Sequence, residues 1–190
     1  MARNTITRSM HDLGLAAWFG GTVANAVALN PAAAQAGTSD RTGAVANVGW
    51  DRWTPVNAAA IGTHLLGSVG QLVGNVGRLQ AQKGVGSMTL VKTALTTVAL
   101  GATAYSRVLG RKVSEKTDVP AASGTEPAPA TPDDVAGAQR QLAILQWAVP
   151  ALTGAVVVVS SFAGEQQRAF EVKRSRRRRR GWASRGPRVG

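Results

Sequence analysis

Two histidines, His11 and His64, are the residues of this chain best suited to moving a proton or binding a metal near neutral pH. There is no cysteine among the 190 residues, which excludes a disulfide scaffold, a thiolate zinc site and a cysteine nucleophile. His64 lies about nine residues into a long stretch without charged side chains. If lipid surrounds that stretch, an ionisable residue within it is a functional-site hypothesis by default.

A polar side chain in hydrocarbon needs a hydrogen-bond partner, and Asn25, in the preceding apolar stretch, is expected at a depth similar to that of His64. The sequence therefore predicts an Asn25–His64 hydrogen bond, with Gln71 as a further polar residue in the same helix. The alternative is that His64 contacts a proton or a quinol. His11 is expected roughly 15 Å from His64 along the membrane normal, which argues against bis-histidine haem ligation. No cofactor is predicted.

Residue types common in enzyme active sites are present but are not arranged for catalysis. Asp133 and Asp134 are adjacent carboxylates in a segment rich in proline and alanine, where nothing would hold their geometry. Ser160 and Ser161 have no histidine base expected at their depth. We therefore predict that the protein is not an enzyme.

The elements that would position these residues are four stretches almost free of charge, each long enough as a helix to cross the roughly 30 Å of a bilayer core. Hydrophobic residues make up 44% of the chain and charged residues only 17%. None of the four stretches shows the sustained alternation of a strand. The sequence predicts an all-α integral membrane bundle. Its four transmembrane helices are expected at about residues 13–29, 56–77, 90–109 and 142–163.

Small residues recur every three or four positions in the second stretch and fall on one face of the predicted helix. Such a face lets the backbone of a neighbouring helix approach closely. The glycines expected on this helix-packing face are Gly67, Gly70, Gly74 and Gly77. We expect the face to pack within the bundle, and the alternative is that it joins two copies of the chain.

The segments between the stretches are polar. Residues 37–54 are expected to form a loop, with Pro55 in the first turn of the second helix. Asn30-Pro31 is expected to end the first helix, and the alternative is that this helix continues through Ala36. Residues 117–141 are expected to be a disordered linker, because a segment so rich in proline and alanine buries too little apolar surface to become ordered.

Residues 164–190 form a strongly basic tail, and residues 1–12 are a short N-terminal segment. The cationic cluster of the tail comprises Lys173, Arg174, Arg176, Arg177, Arg178, Arg179 and Arg180. Anionic lipid is its expected partner, because each basic residue near such a surface contributes about 1 kcal/mol. Another protein ranks second and nucleic acid third.

Basic residues also predict the orientation, because cytoplasmic flanks of membrane helices carry the excess of lysine and arginine. With both termini in the cytoplasm, fifteen of the 22 basic residues lie inside and seven outside. The predicted location is the bacterial inner membrane. An alternative is that residues 1–36 are a signal peptide cleaved after an Ala-Gln-Ala site, which would leave the same orientation.

Three segments carry a resemblance to known sequences: HDLGLAAWFGG at 11–21, RWTPVNAAAIG at 52–62 and ALGATAYSRVLG at 99–110. Through them the chain resembles a group of small uncharacterised actinobacterial multi-pass membrane proteins. The resemblance implies a helical inner-membrane protein, and it supplies neither an activity nor functional residues.

These observations together predict a small non-enzymatic membrane protein, with a structural or accessory role. It is expected to pack through its glycine-rich helix face and to contact anionic lipid through its tail, as a homo-oligomer or within a larger membrane complex. One alternative is a transporter or quinol-handling component that uses His64. Another is a membrane-tethered nucleic-acid-binding protein.

Overall fold

The computed structural model describes residues 5–81, 85–115 and 119–183, and the side chains of residues 75–81, 85 and 166–183 lie outside this description. Within these ranges the chain is helical except for the turn at Gly37-Thr38, residue 115 and the connecting segment 119–132, which confirms the all-α prediction. The four helices are α1 (Thr5–Ala36), α2 (Ser39–Ala81), α3 (Val85–Ser114) and α4 (Asp133–Ala183).

Helix α1 continues through Asn30-Pro31 to Ala36, so the expected end at Asn30-Pro31 is wrong and the alternative of a longer helix is confirmed. Proline has no N–H to donate and its ring crowds the preceding turn, so it normally kinks or ends a helix. Here a π-helical turn at Asn25–Leu29 precedes the proline, and the N–H of Asn30 donates to the carbonyl of Asn25. This wider turn accommodates the proline, and the helix closes with a 3-10 turn at Ala34–Ala36.

The polar loop predicted at 37–54 is wrong, because α2 begins at Ser39. Gly37 reverses the chain with a φ of 92°, a conformation that residues with a Cβ rarely adopt. The carbonyl of Thr38 then accepts the N–H of Thr42, and Asp40 lies in the first turn of α2, where its charge favours a helix N-terminus. Pro55 is consequently inside α2 and not in its first turn.

The disordered linker predicted at 117–141 is also wrong for the described part of that segment. Helix α4 begins at Asp133, and residues 119–132 are tied to the corner between α1 and α2. The N–H of Ala121 donates to the carbonyl of Ser39 at 3.1 Å, and that of Gly124 to the carbonyl of Asn30 at 3.3 Å. The segment is ordered by hydrogen bonds to another part of the chain, which its composition does not reveal.

The bundle consists of two helical hairpins. Helix α1 packs along α2 and also contacts α4, α3 packs along α4, and α2 and α3 touch little. One buried cluster, formed by Leu15, Trp18, Ala60, Ala99 and Val156, joins all four helices. A second cluster lies between α3 and α4 and includes Leu109, Val113 and Val135.

Among the described residues, two helices are long and apolar enough to cross a membrane, Thr5–Ala36 and Asp133–Glu165. Helices α2 and α3 do not meet the same criterion, so the structure does not establish the predicted spans at 56–77 and 90–109. The predicted second span carries Asn57, His64 and Gln71, which lower its hydropathy.

Candidate functional site

The two histidines are in contact, between α1 and α2. Their ring centroids are 4.5 Å apart with the planes at 49°, and the ring of Trp18 lies 6.1 Å from that of His64. His64 is completely buried and His11 is 1% exposed. The expected separation of roughly 15 Å between the two histidines is therefore wrong. Rings in contact leave no room between them for a haem, which bis-histidine ligation would require.

Each imidazole makes one hydrogen bond through its Nδ1 atom. The Nδ1 of His64 lies 3.2 Å from the carbonyl oxygen of His11, and the Nδ1 of His11 lies 2.7 Å from Oδ1 of Asp12. Both partners are acceptors, which assigns the proton to Nδ1 in each ring. The two Nε2 atoms are buried without a hydrogen-bond partner among the described residues. In neutral rings these Nε2 atoms carry lone pairs, and only the Nδ1 of His11 connects the pair to the exposed Asp12.

Glycines bring the two backbones together at this site. A Cβ atom on Gly14 would collide with backbone atoms of Ala60 and His64, and one on Gly67 would collide with backbone atoms of Thr7 and His11. Each glycine thus lies where the opposite helix presents its histidine. The close approach brings the Nδ1 of His64 within reach of a carbonyl on α1.

The predicted helix-packing glycines lie in different surroundings. Gly67 and Gly70 face α1 of the same chain, Gly70 against the side chain of Thr7. Gly74 is exposed, and Gly77 lies in the part of α2 whose side chains are outside the described residues.

The predicted hydrogen bond between Asn25 and His64 is wrong. Asn25 lies fourteen residues after His11, about 20 Å along α1, and its Nδ2 is buried with no partner among the described residues. The predicted spans 13–29 and 56–77 place Leu29 and Val56 near the same membrane surface, whereas Leu29 lies against Gly49. The early start of α2 thus shifts the register by about 10 Å. Gln71 lies seven residues beyond His64 on α2, about 10 Å further along the axis.

Asn30 joins more elements than any residue that the sequence singled out. Its Nδ2 donates to Oε1 of Gln146 at 2.8 Å, and its Oδ1 accepts from Nε1 of Trp50 at 3.1 Å. Its carbonyl accepts from Gly124, so one residue connects α1, α2, α4 and the connecting segment. The sequence signal was a lone asparagine within an apolar stretch, but the adjacent proline favoured the interpretation of a turn.

Other predicted sites lie outside what the structure describes. The basic cluster from Lys173 to Arg180 continues the backbone of α4, but its side chains are not among those described. Within residues 5–81, 85–115 and 119–183, no group of three or more histidine, aspartate or glutamate side chains is placed to hold a metal ion.

Comparisons with protein-family models, with curated protein sequences and with solved structures found no match to this chain. The resemblance to small actinobacterial membrane proteins therefore stays a prediction.

Proposed function

We propose that this protein is a non-enzymatic integral membrane subunit whose four helices all lie in lipid. The observation that carries the proposal is the distribution of polarity across the bundle. Large apolar side chains are exposed on all four helices, including α2 (Leu66 66%, Val69 59%) and α3 (Leu90 70%). Buried positions hold polar residues, including His64, Asn30 and Thr153.

In water a bundle is expected to have an almost wholly apolar interior, and large exposed apolar patches mark interaction sites. In lipid the arrangement is favourable, because helices associate through small residues and buried hydrogen bonds. Thr22 and Thr153 return their hydroxyl groups to carbonyls of their own helices, so these buried donors are satisfied without water.

The distribution of basic residues supports an orientation with both termini in the cytoplasm of a bacterium, at its inner membrane. The α1–α2 turn and residues 119–132 then lie outside. The basic cluster lies inside, where it is available to anionic headgroups.

A topology experiment tests the number of spans, and the absence of cysteine makes the background clean. Single cysteines would be introduced at Ser9, Gln35, Gly86 and Glu126, which are all exposed. Intact cells would then be treated with a membrane-impermeant maleimide. Four spans predict labelling at Gln35 and Glu126 and protection at Ser9 and Gly86.

Gly86 decides between the two membrane arrangements. If α1 and α4 alone crossed the bilayer, the whole region between them would be outside and Gly86→Cys would be labelled in intact cells. Labelling of all four variants only after lysis, with the protein in the soluble fraction, would contradict the membrane proposal itself.

The predicted glycine face is used within the bundle, and the accessory role needs a test of its own. Gly67 and Gly70 are covered by α1 of the same chain, so these glycines serve the bundle and are not available to a second copy. Affinity purification in mild detergent, followed by identification of copurifying proteins, tests whether the protein belongs to a larger complex. Recovery of the chain alone would contradict an accessory role.

A second candidate function, in a transporter or quinol-handling component, is favoured by the histidine pair. Two buried Nε2 atoms lack hydrogen-bond partners among the described residues, and His11 connects to the exposed Asp12. His64→Phe keeps a ring at this position and removes both nitrogens. Loss of a respiratory or transport phenotype in a variant that is still stably assembled would support this candidate over the accessory role.

A further inference from the structure

A cavity of about 290 Å³ lies between α2 and α3, near the lower limit of roughly 300 Å³ for small-molecule sites. It lies where the two hairpins fail to meet, because α2 and α3 touch little. Helix α4 contributes Leu142, Leu145 and Val149 to its wall.

The cavity is long and narrow. Its lining runs from Asn47 to Ile61 on α2 and from Leu100 to Ser114 on α3, which is fourteen residues along each helix. At a rise of about 1.5 Å per residue, this distance is about 20 Å. So small a volume over that length forms a slot for one extended chain. One leaflet of a bilayer core is about 15 Å thick, so an acyl chain has a suitable length.

The polar side chains of this slot have their hydrogen bonds within the protein or turn away from it. Five hydroxyl groups donate to carbonyls of their own helices, those of Thr22, Thr54, Thr103, Ser106 and Ser114. Gln146 and Arg107 bond to other side chains. Nε1 of Trp53 and Oδ1 of Asn57, which lack partners among the described residues, have essentially no accessible surface and do not face the slot. A ligand in the slot therefore meets mainly hydrocarbon.

The slot opens sideways between two alanines. Among the lining residues that the structure describes, Ala58 of α2 and Ala104 of α3 are the exposed ones. They lie three and four residues from Ile61 and Leu100, so the opening is near that end of the slot. At the other end, the buried Thr125 of the connecting segment completes the wall. The opening is thus on the side of the bundle and not at the end covered by the connecting segment.

We propose that the slot holds one acyl chain of a phospholipid from the surrounding bilayer, which enters between Ala58 and Ala104. The inference rests on the proposed four-span arrangement, in which both alanines face hydrocarbon. An empty slot would leave its apolar walls without contacts on one side, and a hydrocarbon chain supplies those contacts. The head group stays outside the slot, so the protein recognises the chain and not the head.

Photolabelling of the full chain in lipid vesicles tests the proposal. The probe is phosphatidylcholine with a diazirine in one acyl chain, and labelled residues are identified by mass spectrometry. Val113 and Val149 line the slot but are only 8% and 4% exposed, so a lipid chain reaches them by entering the slot. Leu66 and Leu90 are exposed on the outside of α2 and α3. We expect label on the two slot valines and on the two outer leucines.

These two groups of residues separate the inference from the proposed function. Label on the outer leucines without label on the slot valines would overturn the inference and leave the four spans intact. Outer leucines without label would contradict the four-span arrangement, and the inference with it.

Closing the opening provides a matched pair of variants. Ala58→Leu combined with Ala104→Leu places bulk at the opening and should remove the label from Val149, while the outer leucines stay labelled. The control combines Ala59→Leu with Ala94→Leu, at exposed positions that do not line the slot, and should be labelled as the parent is. Equal labelling of Val149 in both double variants would overturn the proposal.

A free fatty acid is the competing source of the same kind of chain. Palmitic acid added as a minor fraction of the lipid should lower the labelling of Val149 and of Leu66 in equal proportion. A selective loss of label at Val149 would assign the slot to a free fatty acid and overturn its assignment to a phospholipid.

Discussion

His64 contributes both packing contacts and a hydrogen bond between α1 and α2. Its ring fills the space between α1 and α2 against His11 and Trp18, and its Nδ1 spans the helices to reach a backbone carbonyl. Interhelical hydrogen bonds of this kind contribute about 0.6 kcal/mol on average in a membrane. The larger contribution comes from the contacts of a completely buried ring.

Replacing His64 by alanine should therefore lower the free energy of unfolding by roughly 1–3 kcal/mol, because it leaves a void between two helices. His64→Phe should recover most of this loss, since it restores a ring and gives up only the hydrogen bond. Unfolding followed by circular dichroism in mixed micelles measures both variants. An alanine variant as stable as the parent would contradict the packing role.

Replacing Asn30 should lower the free energy of unfolding at least as much as replacing His64, because the side chain of Asn30 hydrogen-bonds to groups on two other helices. Asn30→Ala leaves Nε1 of Trp50 and Oε1 of Gln146 without these partners and should cost roughly 1–3 kcal/mol. Asn47→Ala is the matched control: the half-buried Asn47 accepts one hydrogen bond from Ser114 and its loss should cost at most about 1 kcal/mol. Equal losses of unfolding free energy in the two variants would mean that the hydrogen bonds of Asn30 stabilise the bundle no more than the single bond of Asn47 does.

At the scale of the elements, the contact between α1 and α2 depends on glycines that allow backbone to touch backbone. Gly14→Ala should destabilise the hairpin by roughly 1–3 kcal/mol, because the obstructing atoms belong to the backbone of Ala60 and His64 and cannot rotate away. Gly62→Ala on α2 is the control, since nothing lies within 4 Å of its added Cβ.

The control should be neutral or up to about 1 kcal/mol more stable, through the higher helix propensity of alanine. Thermal unfolding of both variants in the same detergent compares them directly. If Gly14→Ala and Gly62→Ala behaved alike, the close approach of the two helices would have to be abandoned.

The helices themselves could be predicted from the sequence, but their ends and register could not. Apolar composition located the centres of α1 and α4, whereas the start of α2 depends on a Gly37-Thr38-Ser39 turn whose residues are equally typical of a loop. The loop interpretation displaced α2 by about 10 Å, which moved His64 away from His11 and towards the level of Asn25. The ordered conformation of residues 119–132 could not be predicted from the sequence, because it depends on hydrogen bonds to distant parts of the chain.

At the scale of the whole molecule, the excess of positive charge in the tail should respond to the lipid surface. A fluorophore that senses polarity, attached to Ser184→Cys, should report a less polar environment in anionic vesicles than in zwitterionic ones. The difference should disappear at high salt, because electrostatic attraction is screened.

Replacing the five arginines at 176–180 by glutamine keeps the length of the tail and removes most of its charge. This variant should give the same fluorescence in both kinds of vesicle. A response to anionic lipid that survives the substitution, or one indifferent to salt, would point away from headgroup binding by the arginines.

The covered face of α2 bears on how such a protein is made. In the proposed four-span arrangement, α2 leaving the translocon alone would expose the imidazole of His64 and the backbone beside Gly67 to hydrocarbon. Helix α1 is synthesised first, and Gly37 turns the nascent chain back within two residues. In that arrangement α1 is already present when α2 emerges and can cover the polar face of α2. The two helices can therefore enter the bilayer as a pair.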